Sequence, residues 1–308
     1  MNRYYQWTAE DLTWYQRHGF IVLPNVLDPQ ICTYLADRFE TLFSGNFETG
    51  IEPELCPARL DGANTPATGL IMANAWRCDH SIAMVTLNSE LARMLAELNG
   101  WYGIRLLQDN LHWKPPSAPG GHYHQDYRYH RWAVPNLLAS AWFALTDTNA
   151  SNGTLCLIRG SHLWPEVDSV DNEKGIESGN LREFVSPLDH DRELTDTARE
   201  AAVNLEKIYV EIKAGGVVFF NDHIWHGSDA NSSNRQRKAI SVHGLIPETK
   251  FHPAITGHVQ CRYRKYQDDR LDEAYFPILW QQDGYRTPWL DRYMQDGSAA
   301  VYHSSLYQ

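Results

Sequence analysis

The sequence predicts a mostly β fold with flanking helices. After Gly100 it contains short segments that are rich in β-branched and aromatic residues and are separated by turn signals, a pattern typical of an antiparallel sandwich or barrel. These segments are IRLLQDNLHWK, NLLASAWFALTD, GTLCLIRGS, KIYVEIKAGGVVFFND and RKAISVHGLI. The first hundred residues show helical patterns instead. Neither a repeat nor a linker divides the 308 residues, so we predict a single domain over 1–308.

Residues 1–100 are predicted to be the helical part. TAEDLTWYQRHG has Thr8 in the position of an N-cap and Gly19 just after its last turn. FIVLPNVL then predicts a strand, and PQICTYLADRFETLFSG places apolar residues at helical spacing. A third helix, NSELARMLAELNG, is expected to begin at Asn88 and to end at Gly100.

The barrel core is expected at about 101–250, with an insertion at 164–206. The insertion is polar and acidic, and it contains one helical pattern, DTAREAAVNLE. A long insertion inside a compact β domain is often a lid or a substrate loop. The C-terminal extension, 251–308, is aromatic and charged, and we expect it to be helical and to pack across one end of the barrel.

Composition excludes several classes of partner. The formal net charge is −11 and the basic residues are dispersed, which argues against nucleic-acid binding. The longest apolar run, LLASAWFAL, is too short to cross a bilayer, and the N-terminus lacks the apolar segment of a signal peptide. Five widely spaced cysteines without a CxxC motif indicate reduced thiols. We therefore expect a cytoplasmic protein that binds a small molecule; its oligomeric state is left open.

The segment HYHQDYRYH predicts a metal site. His124 and Asp126 are two residues apart, so on a strand their side chains would share one face. A third ligand would come from His223 or His226 in NDHIWHGS. Two histidines and one carboxylate on one face of a metal form the facial triad of non-heme Fe(II) oxygenases.

Six motifs occur in an order that resembles a known family. They are HGFIVLPNVLD, WKPP, HYHQD, SAWFALTDTNASNGTLCLIRGSH, AGGVVFFNDHIWHGSDANSSN and RKAIS. Together they resemble the phytanoyl-CoA dioxygenase family of Fe(II)/2-oxoglutarate-dependent oxygenases. The resemblance implies a double-stranded β-helix, that is, a jelly roll or cupin-like barrel. It also implies Fe(II), 2-oxoglutarate as co-substrate, and O2.

The resemblance also implies roles for individual residues. The metal ligands fall on His124, Asp126 and His226. The far carboxylate of 2-oxoglutarate would meet Arg237 and Ser228. The strand before HYHQD and the segment SAW would contribute further co-substrate contacts, at Gln108, Asn110, His112 and Trp142.

Several neighbouring residues compete for these roles. His122 has the same strand parity as His124 and is interpreted as a rim residue, and His223 as structural. His162 is interpreted as a framework residue close to the site. Arg235 lies in a polar turn and is expected to be solvated, and Lys238 offers only a flexible point charge where Arg offers a fork.

The substrate is predicted to be a small polar metabolite, hydroxylated in a tailoring step of natural-product biosynthesis. The presence of Asp126 favours hydroxylation over halogenation. Two alternatives stay open: an acyl-CoA hydroxylase of the same family, and a cupin-type metal enzyme that does not use 2-oxoglutarate. A non-catalytic binding protein is a third. Aromatic side chains with hydrogen-bonding tips are expected to line the substrate pocket, namely Trp113, Tyr127, His130, Trp132 and Trp225.

Overall fold

Two facing antiparallel sheets with flanking helices form the fold; most helices pack on the larger sheet, and one contacts β4 of the smaller sheet. We describe a computed structural model, which covers residues 5–60, 69–165 and 190–295. The predicted class, mostly β with flanking helices in a jelly-roll arrangement, is confirmed. Within the covered residues the strands form two sheets instead of a closed barrel.

The larger sheet has the order β1-β9-β6-β11-β3-β13, with β2 also paired to β3. Its strands are β1 (Phe20–Leu23), β2 (Leu70–Ala73), β3 (Gly103–Lys114), β6 (Leu138–Ala144), β9 (Val217–Asn221), β11 (Arg237–Leu245) and β13 (Ile278–Gln281). The smaller sheet has the order β4-β10-β7-β8, from β4 (Gly121–His124), β7 (Cys156–Ile158), β8 (Lys207–Tyr209) and β10 (His226–Ser228). A separate pair joins β5 (Ala133–Val134) to β12 (Lys250–Phe251).

The larger sheet is buried on both faces. Its outer face packs under the helices through Leu111, Phe143, Phe219 and Ile240. Its inner face packs against the smaller sheet in a core of Trp142, Ala144, Leu155, Leu157, Val218 and Phe220. Alternate residues of each strand therefore belong to different layers. The site described below lies on the inner layer.

Helices form the outer layer and part of the C-terminal region. They are α1 (Ala9–His18), α2 (Pro29–Phe43), α3 (His80–Thr86), α4 (Ser89–Leu98), α5 (His190–Glu200) and α6 (Leu290–Gln295). The predicted ends of α1 are confirmed, because Thr8 and Asp11 form a capping box and Gly19 is left-handed. Asn88 caps α4 as predicted. The short helix α3 was not predicted.

Several predicted segments differ in extent. FIVLPNVL is a strand only to Leu23, since Asn25 adopts a positive φ that ends it. KIYVEIKAGGVVFFND contains two strands separated by the turn at Gly215. The insertion helix begins earlier and ends at Glu200, and the rest of the predicted lid, 166–189, lies outside the described residues. Over the described residues 251–295 the extension contains the end of β12, a 3-10 helix (Val259–Tyr263), β13 and α6 and is otherwise irregular, so the helical prediction is wrong for most of this part.

The pairing of β3 with β11 contains one bulge. His243 pairs with Gln108, whereas the next residue, Gly244, pairs with Leu106. Leu107 is therefore the extra residue of the bulge, and it packs with Leu245 in an inner apolar cluster. Above the bulge, the alternation places Gln108, Asn110, His112 and Lys114 on the same face of β3.

Two predicted chemical features agree with the structure. The five cysteines are unpaired. In the portion of the chain that the structure describes, no helix combines the length and the apolar character needed to cross a membrane.

Gly215→Ala is expected to destabilise the fold more than Gly100→Ala. Both glycines have a positive φ, +92° and +67°, which costs a residue with a Cβ roughly 1–2 kcal/mol. At Gly100 the added Cβ meets nothing within 4 Å, whereas at Gly215 it would lie 2.2 Å from the Leu27 carbonyl oxygen. The clash should add about 1–3 kcal/mol. Urea unfolding of both variants measures the difference, and equal losses would contradict the clash.

Candidate metal and co-substrate site

Three potential metal ligands meet between the two sheets. His124 ends β4, His226 begins β10, and the two residues pair across these strands. Asp126 Oδ1 lies 3.5 Å from Nε2 of His124 and 3.5 Å from Nε2 of His226. One ligand atom from each of the three lies within 4.8 Å of the others. The sequence predicted that Asp126 lies on the same strand as His124. In the structure Asp126 instead starts a 3-10 helix (Asp126–His130), which turns its carboxylate towards both imidazoles.

The backbone orients both imidazoles. His124 Nδ1 lies 2.9 Å from the carbonyl oxygen of His122, and His226 Nδ1 lies 3.0 Å from that of Ile224. A carbonyl only accepts hydrogen bonds, so each Nδ1 carries the proton and donates it. Both Nε2 atoms are consequently unprotonated in the neutral rings and face the shared carboxylate, the arrangement that metal-ligating histidines require.

The protonation states also suit a metal. Burial alone would raise the pKa of Asp126, but the surrounding imidazoles of His226, His124 and His243 hold it well below its usual range. Burial lowers the pKa of His226 to about 4, whereas the pKa of His124 is raised, against the effect of burial, by the Asp126 carboxylate and the His122 carbonyl. A divalent cation binds the ionised carboxylate and displaces the proton from an imidazole that carries one.

His243 and Ser140 contact the Asp126 carboxylate on the side away from the two histidine ligands. Ser140 Oγ lies 3.4 Å from Asp126 Oδ2 and 2.7 Å from His243 Nδ1. His243 Nδ1 is itself 3.6 Å from Asp126 Oδ2. These partners hold the oxygen that faces away from the two histidine ligands, and they leave Oδ1 for a metal. Neither residue was predicted, although His243 has the same strand parity as Arg237.

We expect His243→Gln to weaken Fe(II) binding about 10- to 100-fold, because groups that orient a metal ligand typically contribute this much. Ser241→Ala is the matched control: Ser241 contacts the opposite ring nitrogen of His243, at 2.9 Å, and does not reach Asp126 in the structure. It should change the affinity much less. Anaerobic Fe(II) titration measures both, and equal effects would mean that His243 acts only through packing.

A buried cation lies at the other end of the inner face. Arg237 is 6% exposed, and its guanidinium stands 5.6 Å from the centroid of Trp142. One Nη donates to the Gly153 carbonyl at 3.1 Å, while Nε has no hydrogen-bond partner. Among the described residues no carboxylate pairs with Arg237. Burial lowers its pKa to about 10, so it remains charged at neutral pH. An unpaired buried guanidinium of this kind fits an anionic ligand.

Lys114 is a second cation at this end, and it was not predicted. It pairs with Arg237 across β3 and β11, and its Nζ donates to Ser228 Oγ at 2.8 Å. Burial, followed by the charge of Arg237, lowers the pKa of Lys114 to about 7. Ser228 is thus held by Lys114, the cross-strand partner of Arg237. The parity that selects His112 also selects Lys114, so alternation along β3 would have identified it.

The predicted residues of β3 lie on the inner face. Asn110 Nδ2 is 3.1 Å from His243 Nε2, and Gln108 Nε2 donates to Asn110 Oδ1 at 3.4 Å. His112 Nε2 lies 3.0 Å from Ser241 Oγ. Burial, and secondarily Arg237, lowers the pKa of His112 to about 3, so its imidazole is neutral. Gln108, Asn110 and His112 extend between the cationic end and the bulge.

The competing residues occupy other positions. Arg235 is exposed, and Lys238 points to the outer layer, where its Nζ donates to the Ala36 carbonyl at 2.8 Å. His122 is exposed and contacts His124 through its carbonyl. His223 hydrogen-bonds Asp222 at 2.9 Å. His162 packs near Gly19 at the end of α1 and hydrogen-bonds the Gln16 carbonyl at 3.0 Å.

Three of the five predicted pocket-wall residues belong to packed cores instead. Trp113 faces the outer layer, where its ring lies 5.9 Å from Phe43, because it alternates with His112 and Lys114 on β3. Trp132 is fully buried in an aromatic cluster of the C-terminal region, and Trp225 is fully buried behind β10. These three predictions are wrong.

Two predicted wall residues lie closer to the site. Tyr127 stacks on His223, with ring centroids 4.0 Å apart. His130 accepts a hydrogen bond from the Trp132 indole at 3.2 Å and faces His258 at 5.9 Å. Burial, followed by His258, lowers the pKa of His130 to about 3, so the ring is neutral.

Comparison with known proteins agrees with this geometry. The family model for phytanoyl-CoA dioxygenase (PhyH) matches residues 15–239, which include all three candidate metal ligands and Arg237. The chain belongs to the phytanoyl-CoA dioxygenase family. Its identity to the peroxisomal phytanoyl-CoA dioxygenase of Mus musculus is 25% over 244 residues, which cover 77% of this chain and 68% of that protein. It spans only 34% and 32% of the length of the matched Caenorhabditis elegans and Bos taurus members of the phytanoyl-CoA dioxygenase family.

Solved structures share the fold of this phytanoyl-CoA dioxygenase family member. The non-heme alpha-ketoglutarate-dependent carbocyclase SnoK from nogalamycin biosynthesis superposes with a TM-score of 0.65 at 21% identity, over 88% of this chain and 96% of that one. The epimerase SnoN, in complex with Fe3+, alpha-ketoglutarate and nogalamycin RO, gives 0.63 at 18% identity, over 87% and 97%.

The residues of this family member fit iron and 2-oxoglutarate. Two imidazoles and one ionised carboxylate supply the ligand set of a facial triad and leave positions open for other ligands. The unpaired Nε of Arg237 suits the second carboxylate of a dicarboxylic acid. The two features lie on the same inner face of one strand pair, β3 and β11, or directly against it.

Proposed function

We propose that the protein is an Fe(II)/2-oxoglutarate-dependent dioxygenase. It hydroxylates a C–H bond of a small polar metabolite and releases succinate and CO2. The observation that carries this proposal is the buried Arg237, which has no carboxylate partner in the described chain and shares an inner face with the His124, Asp126 and His226 cluster. A metal site without a co-substrate dicarboxylate would not need this cation.

In this proposal His124, Asp126 and His226 hold Fe(II), and Arg237 and Ser228 hold the far carboxylate of 2-oxoglutarate. The bound iron and co-substrate supply the oxidising power for C–H cleavage. Trp142 covers the guanidinium, and Ser140 with His243 fixes the Asp126 carboxylate. Burial of Arg237 and Trp142 excludes water from the co-substrate end, where it would compete for the carboxylate.

The substrate class is proposed from the uncharged side chains at the end of the inner face away from Arg237. The amides of Gln108 and Asn110 and the uncharged ring of His130 suit hydrogen bonding to a polar metabolite. Similarity to SnoK and SnoN, which are named as enzymes of nogalamycin biosynthesis, supports a natural-product tailoring step. The unpaired thiols support an enzyme of the reducing cytoplasm.

A succinate-release assay tests the reaction and the substrate together. The protein is supplied with Fe(II), 2-oxoglutarate and a panel of neutral polar metabolites, amino acids and branched-chain acyl-CoAs. We expect stimulated succinate release with a neutral metabolite and a product heavier by one oxygen. Loss of two hydrogens would indicate ring closure or desaturation, and an unchanged mass with stimulation would indicate epimerisation.

Other outcomes separate the alternatives. Saturable hydroxylation of an acyl-CoA would replace the proposed substrate and leave the reaction class intact; the names of the matched relatives favour this second candidate. Product formation without succinate would favour a cupin-type enzyme that does not use 2-oxoglutarate. Absence of both Fe(II) binding and turnover would leave a binding protein.

A further inference from the structure

A row of neutral polar side chains connects the candidate metal site to the C-terminal extension. It continues from Ser140 and His243 through Asn110 and Gln108, and it ends at Gln260, whose Nε2 donates to Gln108 Oε1 at 3.3 Å. Gln260 lies in the 3-10 helix Val259–Tyr263, beyond residue 239, where the match to the family model ends. The extension thus adds a polar group that the family comparison does not cover.

The Asp126 carboxylate determines which way each group in the row points. Because a carboxylate only accepts, Ser140 Oγ donates its one proton to Asp126 Oδ2 at 3.4 Å, and His243 Nδ1, 2.7 Å from the same Oγ, then donates to Ser140. His243 Nε2 then accepts from Asn110 Nδ2, which turns Asn110 Oδ1 towards Gln108 Nε2. The side-chain oxygen of Gln108 therefore faces Gln260 and accepts a hydrogen bond from the side-chain nitrogen of Gln260.

This polarity leaves the carbonyl oxygen of Gln260 as the free end of the row. Gln260 is 2% exposed, and its Oε1 has no hydrogen-bond partner in the described part of the chain. Rotating the amide would place its oxygen against the oxygen of Gln108, so rotation does not remove the unpaired acceptor. A buried polar group without a partner is costly, and its presence beside a binding site indicates a ligand that completes it.

The backbone holds Gln260 in this position. Its N–H donates to Nδ1 of His258 at 3.2 Å, and the His258 ring also hydrogen-bonds the backbone of Tyr129, whose ring lies 5.4 Å from that of His124. Further along, the Tyr263 hydroxyl accepts from Arg77 at 3.0 Å. The 3-10 helix is therefore attached to the segment that follows the metal ligands and does not depend on Gln108 alone.

We propose that Gln260 is a specificity-determining residue, whose carbonyl oxygen accepts a hydrogen bond from a hydroxyl or N–H group of an uncharged substrate. The inference rests on the proposed oxygenase function and assigns the chemistry that its substrate presents. Burial lowers the pKa of His258 to about 4, so this ring, like that of His130, is uncharged beside Gln260. Neutral amides and imidazoles favour neutral donors over anionic groups.

The test compares hydroxyl compounds with their methyl ethers. The probes are neutral cyclic polyols, each paired with the O-methyl ether that lacks the donor. The pair giving the highest succinate release with the wild-type protein is assayed with Gln260→Met, which keeps the length of the side chain and removes its hydrogen bonds. Gln30→Met, at an exposed position of α2, is the matched control.

We expect Gln260→Met to lower kcat/KM for the hydroxyl compound about 5- to 50-fold, the range for a buried hydrogen-bonding group left unpaired. The ether should change little, so the preference for the hydroxyl compound should largely disappear. The KM for 2-oxoglutarate should change much less than the ratio of the two compounds, and Gln30→Met should leave both the KM and the uncoupled turnover at the wild-type level. If Gln260 has only a structural role, kcat/KM should fall equally for the hydroxyl compound and for the ether.

An unchanged ratio of hydroxyl compound to ether in Gln260→Met would overturn the proposal. If the proposed oxygenase function is wrong, the result is different: the wild-type protein would release no succinate, either with or without a substrate. That result would remove both proposals, whereas an unchanged ratio removes only the role of Gln260.

Discussion

His226→Ala is expected to abolish Fe(II) binding and succinate release while the protein stays folded. In the described part of the chain three side chains form the candidate ligand set, so losing one leaves it incomplete. The imidazole of His226 is buried between Phe220 and His124, whose ring centroids lie 5.0 Å and 4.3 Å away, and alanine leaves space there without an unpaired charge. Anaerobic Fe(II) titration and the succinate assay measure the two losses, and circular dichroism measures the fold.

His122→Ala is the matched control for this experiment. His122 contributes its backbone carbonyl to His124, and alanine retains that carbonyl. Iron binding should therefore be close to wild type. If His122→Ala also abolished binding, the ligand set would be that of a cupin-type site formed by His122, His124 and His226.

Arg237→Ala is expected to raise the KM for 2-oxoglutarate about 10- to 100-fold, because a hydrogen bond to a charged group contributes roughly 1.5–3 kcal/mol. The buried guanidinium is pre-organised by Gly153 and Trp142, so its loss affects the co-substrate directly. The effect on iron affinity without co-substrate should be small. Initial rates of succinate release at varied 2-oxoglutarate measure the change.

Arg235→Ala provides the control for charge alone. It removes one cation two residues away, but Arg235 is exposed and outside the site, so the KM should stay near its wild-type value. Equal increases in both variants would indicate long-range attraction of the dianion, and added salt would then weaken both. An increase confined to Arg235→Ala would exchange the roles of the two residues.

Much of the site could be predicted because its chemistry is carried by short motifs. HYHQD and WHGS contain the three residues that the structure brings together, and RKAIS contains the buried arginine. The prediction of how the ligand side chains come together was incomplete, however. Alternation along one strand was expected to align His124 with Asp126, whereas the strand ends at His124 and a 3-10 turn presents the carboxylate.

The errors in the pocket wall have a physical cause that was visible in the sequence. Aromatic residues with polar tips occur both in pockets and in cores, so composition did not separate them. The alternation of side chains along the strand does separate them. Because Gln108, Asn110 and His112 lie on the inner face of β3, Trp113 must lie on its outer face and Lys114 on its inner face. Parity along β11 likewise selects His243. Gln260 has no such signal, since it lies in irregular chain whose position depends on tertiary contacts.

The bulge at Leu107 makes the length of β3 a stricter requirement than its composition. Leu107 belongs to the apolar cluster of the C-terminal region, and Gln108 begins the polar row, so the bulge is the boundary between the two. Deleting Leu107 itself would restore a regular ladder, whereas deleting a residue between Gln108 and Lys114 would shift the pairing by one and reverse the facing of the side chains on one side of the deletion. Libraries that seek a changed substrate range should therefore exchange the side chain at Gln108 and vary the extension around Gln260, while the number of residues from Gly103 to Lys114 is kept constant.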